Sequence, residues 1–291
     1  MTLSNDLLTV TIAPHGAELQ TIENKRTHHQ YLWHGDPAFW GRRSPVLFPI
    51  VGAVWGGVFR MDGREYPMGQ HGFARDMEFT PMESADPDEA WFALDSSEAT
   101  LGRYPRKFRL EIGYRLQEAR ITVMWRVKNL DTREMHFQIG AHPAFNYPDF
   151  SEADPVHGYF HTDGRDLTVE IISEKGCIGP ETARVEPDND GLIPITADTF
   201  AKDALIFGDA QLHRVSLLSK ERKPYLTLLF QSPAVGLWSP KPNAPFVCIE
   251  PWWGRADRTG FDGDFGCREY VNSLAPGKEF QASYTIIIDN L

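Results

Sequence analysis

Several segments of this chain set a histidine, a carboxylate or an arginine where packing alone explains it poorly. Gly69-Gln70-His71-Gly72-Phe73-Ala74-Arg75 holds a histidine among glycines in a polar stretch, with an arginine four residues on. Such a pair can hold an anion or a sugar hydroxyl; a histidine that only hydrogen-bonds its own loop is the competing reading. Ile139-Gly140-Ala141-His142-Pro143-Ala144-Phe145 places His142 just after an expected strand, Met135 to Ile139. Pro143 holds His142 extended, and the small residues before it leave room for a ligand. A turn-stabilising histidine is the alternative there. Phe246 to Asp257 carries Glu250 at the end of an apolar strand, followed by Trp252 and Trp253. Apolar surroundings raise a carboxylate's pKa toward that of a working base, and a tryptophan face stacks on a sugar ring. The alternative is an ion pair of Arg255 with Glu250 or Asp257. Between Trp40 and Gly52, Arg42 and Arg43 precede an apolar run bounded by prolines. One of the two can aim its guanidinium into a pocket while the other stays at the surface. Asp203 opens the apolar run Ala204 to Phe207 and, taken alone, reads as a strand-edge or capping carboxylate. His28, His29, His34, His136, His157, His161 and His213 carry only structural readings.

Residues so far apart in sequence meet only if the fold brings them together, and the periodicity is that of strands. Phe108, Leu110, Ile112, Tyr114 and Leu116 alternate with Arg109, Glu111, Gly113 and Arg115. After a polar break at Gln117 to Arg120, Ile121, Val123, Trp125 and Val127 alternate in turn, so the two runs read as an antiparallel hairpin. Leu8, Val10 and Ile12 alternate with threonines near one end, and Ala282, Tyr284, Ile286 and Ile288 alternate near the other. Asp62-Gly63 reads as a tight hairpin turn. Only Ser96 to Tyr104 has room for a helical turn or two. Long irregular stretches are expected at 33–57, 67–76, 140–166, 174–202 and 239–268, and loops of that length are usually functional. No linker or repeat divides the chain. The expectation is one all-β domain over residues 1–291, a large antiparallel β-sandwich in preference to a closed barrel.

Composition narrows the function. The chain has 291 residues, 42% hydrophobic and 24% charged, as in ordinary globular proteins. Its 29 Lys+Arg against 40 Asp+Glu give a net charge of −11. That argues against nucleic acid or an anionic membrane as partner, since both reward a basic face. Cys177, Cys248 and Cys267 are too few for a disulfide scaffold, and none shares C-x-x-C spacing. The start, Met-Thr-Leu-Ser-Asn-Asp, lacks the basic and apolar regions of a signal peptide, and no apolar run approaches the roughly 18 residues of a membrane span. The expected compartment is the reducing cytoplasm.

Taken in order, Arg-x-x-Pro-Val-Leu-Phe-Pro-Ile-Val-Gly from Arg42, Gln-His-Gly-Phe-Ala-Arg from Gln70, Gly-x-His-Pro-Ala-Phe from Gly140, Lys-Asp-Ala-Leu-Ile-Phe from Lys202 and Ile-Glu-Pro-Trp from Ile249 resemble the aldose 1-epimerase family. The nearer match is its LacX-type branch, within the galactose mutarotase-like superfamily. The resemblance runs over essentially the whole chain and implies a large antiparallel supersandwich. It also implies an isomerase that interconverts the α and β anomers of an aldose by acid–base ring opening and reclosure. By the same resemblance Glu250 is the general base and His142 the general acid. His71 and Arg42 contact the sugar, Asp203 binds a hydroxyl, and Arg75 belongs to a run shared with the hexose-6-phosphate epimerases; Trp252 joins the expected substrate-binding residues on its residue type alone. The fuller galactose mutarotases carry Asp-His where this chain has Lys202-Asp203-Ala204. Such chemistry needs no cofactor and no metal. The expected partner is a small-molecule sugar, an aldohexose or its phosphate, acted on by a monomer or homodimer. Three alternatives stand beside this reading. One is a hexose-6-phosphate 1-epimerase with Arg42, Arg43, Arg75 and Arg255 as a phosphate clamp. Another is a non-catalytic carbohydrate-binding protein of the same fold. The third is a metalloenzyme built on His71, His142 and Glu250; the clustering of ligands in one short segment, as in cupins, is absent.

Overall fold

The half-buried alternation between residues 108 and 129 folds as the hairpin it predicts. In the computed structural model, which describes residues 1–240 and 244–291, strands Phe108–Gln117 and Arg120–Asn129 pair antiparallel, with Leu116 opposite Ile121 and Leu110 opposite Val127. The C-terminal strand Glu279–Ile288 takes the other edge of Arg120–Asn129, setting Tyr284 against Val123. These three are the centre of a nine-stranded antiparallel sheet. On one side it continues through Glu89–Asp95 to Thr80–Met82. On the other it runs through Pro224–Phe230, Arg214–Leu218 and Gly158–Thr162 to Leu192–Ile195.

The second large sheet is also antiparallel. Its order is Ile178–Val185, Leu167–Ile172, Leu205–Phe207, Ala234–Trp238, Phe246–Trp253, Ile139–Ala141 and Val46–Leu47, and Ala144–Asn146 pairs with the first half of Phe246–Trp253. The two sheets share one core. Trp125 of the first meets Trp253 of the second edge-to-face at 5.4 Å, and Val247, Ile249, Leu237 and Phe207 bury with Ile121, Val123 and Ile286. Each such side chain contributes on the order of 1.5–3 kcal/mol by leaving water. A three-stranded sheet from Thr2–Ser4, Leu8–Ile12 and Leu19–Asn24 and two short ribbons complete the strands. One ribbon pairs Val58–Met61 with Arg64–Pro67 through the expected Asp62-Gly63 turn, both residues at positive φ. The helical stretch shrinks to Glu98–Leu101, capped by Ser97. The large antiparallel sandwich is as expected. None of the helices among the described residues is long and apolar enough to cross a membrane.

Two expectations need correction. The strand read from Met135 to Ile139 is two, Met135–Phe137 and Ile139–Ala141, which belong to different sheets. Gln138 breaks it: its side chain accepts from the Val51 N–H and donates to the Glu269 carbonyl, and its backbone N–H donates to Pro49. The irregular stretches also hold more strand than the sequence suggests. Residues 174–202 contain Ile178–Val185 and Leu192–Ile195, and 239–268 contains Phe246–Trp253; residues 241–243 of that stretch lie outside the described residues. Phe246–Trp253 is buried on both faces and so shows no period-two alternation, whereas Ile178–Val185 is a largely exposed edge.

Candidate active site

Glu250 lies within strand Phe246–Trp253, not at its end as the sequence suggested. Alternation divides that strand: Val247 and Ile249 enter the core between the sheets, while Phe246, Cys248, Glu250 and Trp252 take the opposite face. Gly236 stands directly across from Glu250 on Ala234–Trp238. A Cβ at Gly236 would meet the Trp252 indole at 2.5 Å, and one at Gly140, on the other neighbouring strand, at 2.8 Å. The bare backbone at both positions lets the indole lie down across the sheet. This leaves a cleft of about 420 Å³ floored by Glu250, Trp252, Ile206 and Ala204 and walled by Trp40, Arg42, Gln70, His71, Arg75, His142, Asp203 and Trp238.

His142 follows directly on the end of Ile139–Ala141, which pairs with Phe246–Trp253, so its ring and the Glu250 carboxylate come from adjacent elements of one sheet. Nε2 of His142 is 3.2 Å from Oε2 of Glu250. Trp40 stacks on the His142 ring at 4.7 Å, and Trp238 meets it edge-on at 5.5 Å. The pair is dry: Glu250 is 1% exposed and His142 7%. Burial pushes the Glu250 carboxyl well above the usual carboxylate range, with Asp203 adding to the shift and the Trp252 N–H opposing it. Burial also pulls the His142 imidazole down to about 3, and Arg75 and Arg42 push the same way. Both shifts favour the uncharged forms, a carboxylic acid beside a neutral imidazole.

His71 is both the loop-bonding histidine and a cleft residue. The Gly52 N–H donates to its Nδ1 at 3.0 Å, and its own N–H donates to the Gly52 carbonyl at 2.8 Å. An Nδ1 that accepts leaves Nε2 carrying the proton, so the ring offers the cleft an N–H donor. Burial, aided by His142, Arg75 and Arg42, holds the His71 pKa well below the usual value, which keeps the ring neutral. Gly52 sits at φ +71, and a Cβ there would strike the Ala256 Cβ at 2.5 Å.

Arg42 and Arg75 stand together at the cleft with Asp76 as shared counter-charge, 2.8 Å from Arg42 and 3.9 Å from Arg75. Burial and the neighbouring Arg42 lower the Arg75 guanidinium to about 10. Asp203 lines the cleft just before Leu205–Phe207, its Oδ1 accepting its own neighbour Ala204's N–H. Seven of the residues singled out from sequence — Arg42, His71, Arg75, His142, Asp203, Glu250 and Trp252 — thus line one cleft.

Arg43 and Arg255 do not join them. Arg43 donates to the Gln20 carbonyl. Arg255 pairs with neither Glu250 nor Asp257: it is buried between Glu170 and Glu269, with Arg258 bridging the same two carboxylates and Asp257 taken by Arg268 at 2.6 Å. Sequence reasoning passed over Trp40, Trp238 and Gln70 as cleft residues. Trp40 gave a signal, lying two residues before Arg42 and next to a glycine; Trp238, in an apolar strand, reads as core.

The architecture is that of the galactose mutarotase-like β-sandwich proteins. A family model described as Aldose 1-epimerase matches residues 1–266, and the chain belongs to that family. It is 29% identical to Protein LacX (chromosomal) of Lactococcus lactis subsp. lactis over 99% of both chains. It superposes on a galactose mutarotase related enzyme from Lactobacillus acidophilus with TM-score 0.91 and 34% identity, covering 100% of this chain and 97% of that one. A galactose mutarotase-like protein from Lactobacillus casei gives TM-score 0.92 at 27% identity over 99% of each chain.

Proposed function

We propose that the cleft binds an aldose and interconverts its α and β anomers, with Glu250 as general base and His142 as general acid. The observation that carries this reading is the buried 3.2 Å approach of His142 Nε2 to Glu250 Oε2 in a cleft lined by tryptophans, histidines and arginines. Membership of a family of carbohydrate epimerases supports it. In the free protein the proton rests on Glu250. Passing it to His142 leaves a carboxylate and an imidazolium with the same total charge, so the working state needs no proton from solvent. Glu250 then takes the proton of the anomeric hydroxyl as His142 gives one to the ring oxygen. The ring C1–O bond breaks and the open-chain aldehyde forms. Rotation about C1–C2 offers the other carbonyl face, and the two transfers run backwards to close the ring. Each positioned group contributes roughly 10²–10⁴-fold. The His71 N–H and Arg42 hold oxygens of the sugar, Asp203 accepts from a hydroxyl, and Trp252 presents its indole to the ring. The chain works as one unit, since these residues span positions 42 to 252. Following the optical rotation or the NMR anomer signals of freshly dissolved aldohexoses tests the proposal: the approach to equilibrium accelerates in proportion to protein. Sugar binding without acceleration makes the chain a carbohydrate-binding protein instead.

The pair also sets the pH dependence. The active stoichiometry, one mobile proton shared by Glu250 and His142, is lost on the acid side when a second proton binds at His142. It is lost on the alkaline side when Glu250 gives up its proton. With His142 held down to about 3, the acid limb of kcat/KM falls far below the ordinary histidine value of 6.5, and with Glu250 raised the alkaline limb lies above the usual carboxylate range. An acid limb between pH 6 and 7 contradicts this arrangement.

One observation favours a second reading, turnover of an aldose 6-phosphate. Arg75 is a mostly buried cation whose Nε has no hydrogen-bond partner among the described residues, and Arg42 stands beside it with only Asp76 between them. Two such guanidinium groups suit a phosphate, although Arg43 and Arg255 are not there to complete the expected clamp. On that reading Arg75→Gln raises KM for an aldose 6-phosphate by roughly tenfold or more, the worth of a hydrogen bond to a charged group, and barely alters KM for the free aldose. Equal effects on both substrates assign Arg75 to the sugar ring.

A further inference from the structure

Cys248 has no part in the chemistry above. It lies two residues before Glu250 on the same face of Phe246–Trp253, opposite Trp238, and is fully buried. One ligand atom each from Cys248, His142 and Glu250 lie within 4.8 Å of one another. Some point is therefore within about 2.8 Å of all three, less than 1 Å beyond the roughly 2.0–2.3 Å bonds that Zn²⁺ makes to nitrogen, oxygen and sulfur. The 3.2 Å between His142 Nε2 and Glu250 Oε2 is already about the spacing of two ligands on a tetrahedral ion. Glu250 Oε2 and His142 Nδ1 are buried with no hydrogen-bond partner among the described residues. The His142 ring stands 3.2 Å from Glu250 Oε2 in this dry setting, so the donor atoms of the cluster face one another rather than water.

We propose that His142, Cys248 and Glu250 form a binding site for one borderline-soft dication of the Zn²⁺ type, its fourth position open to the cleft. The donor set selects the ion: thiolate and imidazole suit Zn²⁺, whereas Mg²⁺ and Ca²⁺ require oxygen ligands. Binding releases the thiol proton of Cys248 and the carboxyl proton of Glu250 to solvent, and His142 binds neutral. Thiolate plus carboxylate then balance the dication, so the buried site carries no net charge. The ion occupies both atoms that the proposed reaction uses, so the loaded protein is blocked. That consequence rests on the proposed function; the site itself does not.

The test uses the full chain carrying Cys267→Ser, which removes the exposed thiol, kept reduced and titrated with Zn²⁺. X-ray absorption at the zinc edge is expected to show one ion per chain with a single sulfur at about 2.3 Å and nitrogen or oxygen at about 2.0 Å. Adding Cys248→Ala, with an unchanged circular dichroism spectrum, weakens Zn²⁺ binding at least about tenfold. A zinc shell without sulfur, or affinity unchanged by Cys248→Ala, overturns the proposal. The absorption measurement alone decides the matter if that variant does not fold. Anomer exchange is not read in either arm, so failure of this site and failure of the proposed function are separate results.

Discussion

Glu250→Gln removes nearly all anomer exchange while sugar binding persists. The amide keeps the shape of the side chain and its place on the sheet but can neither take the anomeric proton nor return it. The loss is that of one general acid–base group, about 10²–10⁴-fold in rate. The same substitution stabilises the fold, with a definite pH signature. Burial raises the carboxyl's pKa in the folded chain above the ordinary value of 4.5. The folded state then holds a proton that the unfolded state has already released, so wild-type stability falls as pH rises through that interval. Gln has no such dependence. The melting temperature of Glu250→Gln therefore exceeds that of the wild type at neutral pH, and the gap closes below pH 4.5. A variant that is inactive and less stable throughout would mean that Glu250 is structural.

Gly52→Ala damages site and fold together. Residue 52 holds φ +71, where an L side chain costs roughly 1–2 kcal/mol, and the new methyl would come 2.5 Å from the Ala256 Cβ, an overpacking cost of about 1–3 kcal/mol. The combined loss is about 2–5 kcal/mol and lowers the melting temperature by several degrees. Relief requires the backbone at 52 to move, and that backbone makes both hydrogen bonds that seat His71. A displacement near 1 Å of such a group costs on the order of 10²-fold in rate, so activity falls even well below the melting temperature. Wild-type activity in a destabilised Gly52→Ala protein would remove His71 from the working site.

Strands were legible where one face is wet. Phe108–Gln117 alternates buried and half-exposed residues for most of its length, and the hairpin partner follows from it. Phe246–Trp253 hides the signal because its outer face is covered by Trp40, Trp238 and the cleft wall, which makes Glu250 look terminal when it is central. The site residues stood out because a lone ionisable group among glycines or apolar residues is chemically out of place; His71, His142 and Glu250 all have that character. Arg255 deceived for a related reason. Its sequence neighbours Glu250 and Asp257 are acidic, but the carboxylates that hold it, Glu170 and Glu269, are set by the pairing of remote strands and loops. Trp238 was invisible because an aromatic residue in an apolar strand serves core and cleft wall equally well.

The central claim is that the buried pair moves protons on a bound sugar. Exchange spectroscopy on the two anomeric proton signals of an aldose at equilibrium, with wild type and Glu250→Gln compared at equal protein and saturating sugar, tests it most directly. The account predicts exchange cross-peaks that grow with wild-type concentration and fall to the buffer rate with Glu250→Gln. Exchange at the buffer rate with sugar-saturated wild type, or equal acceleration by both proteins, would contradict it.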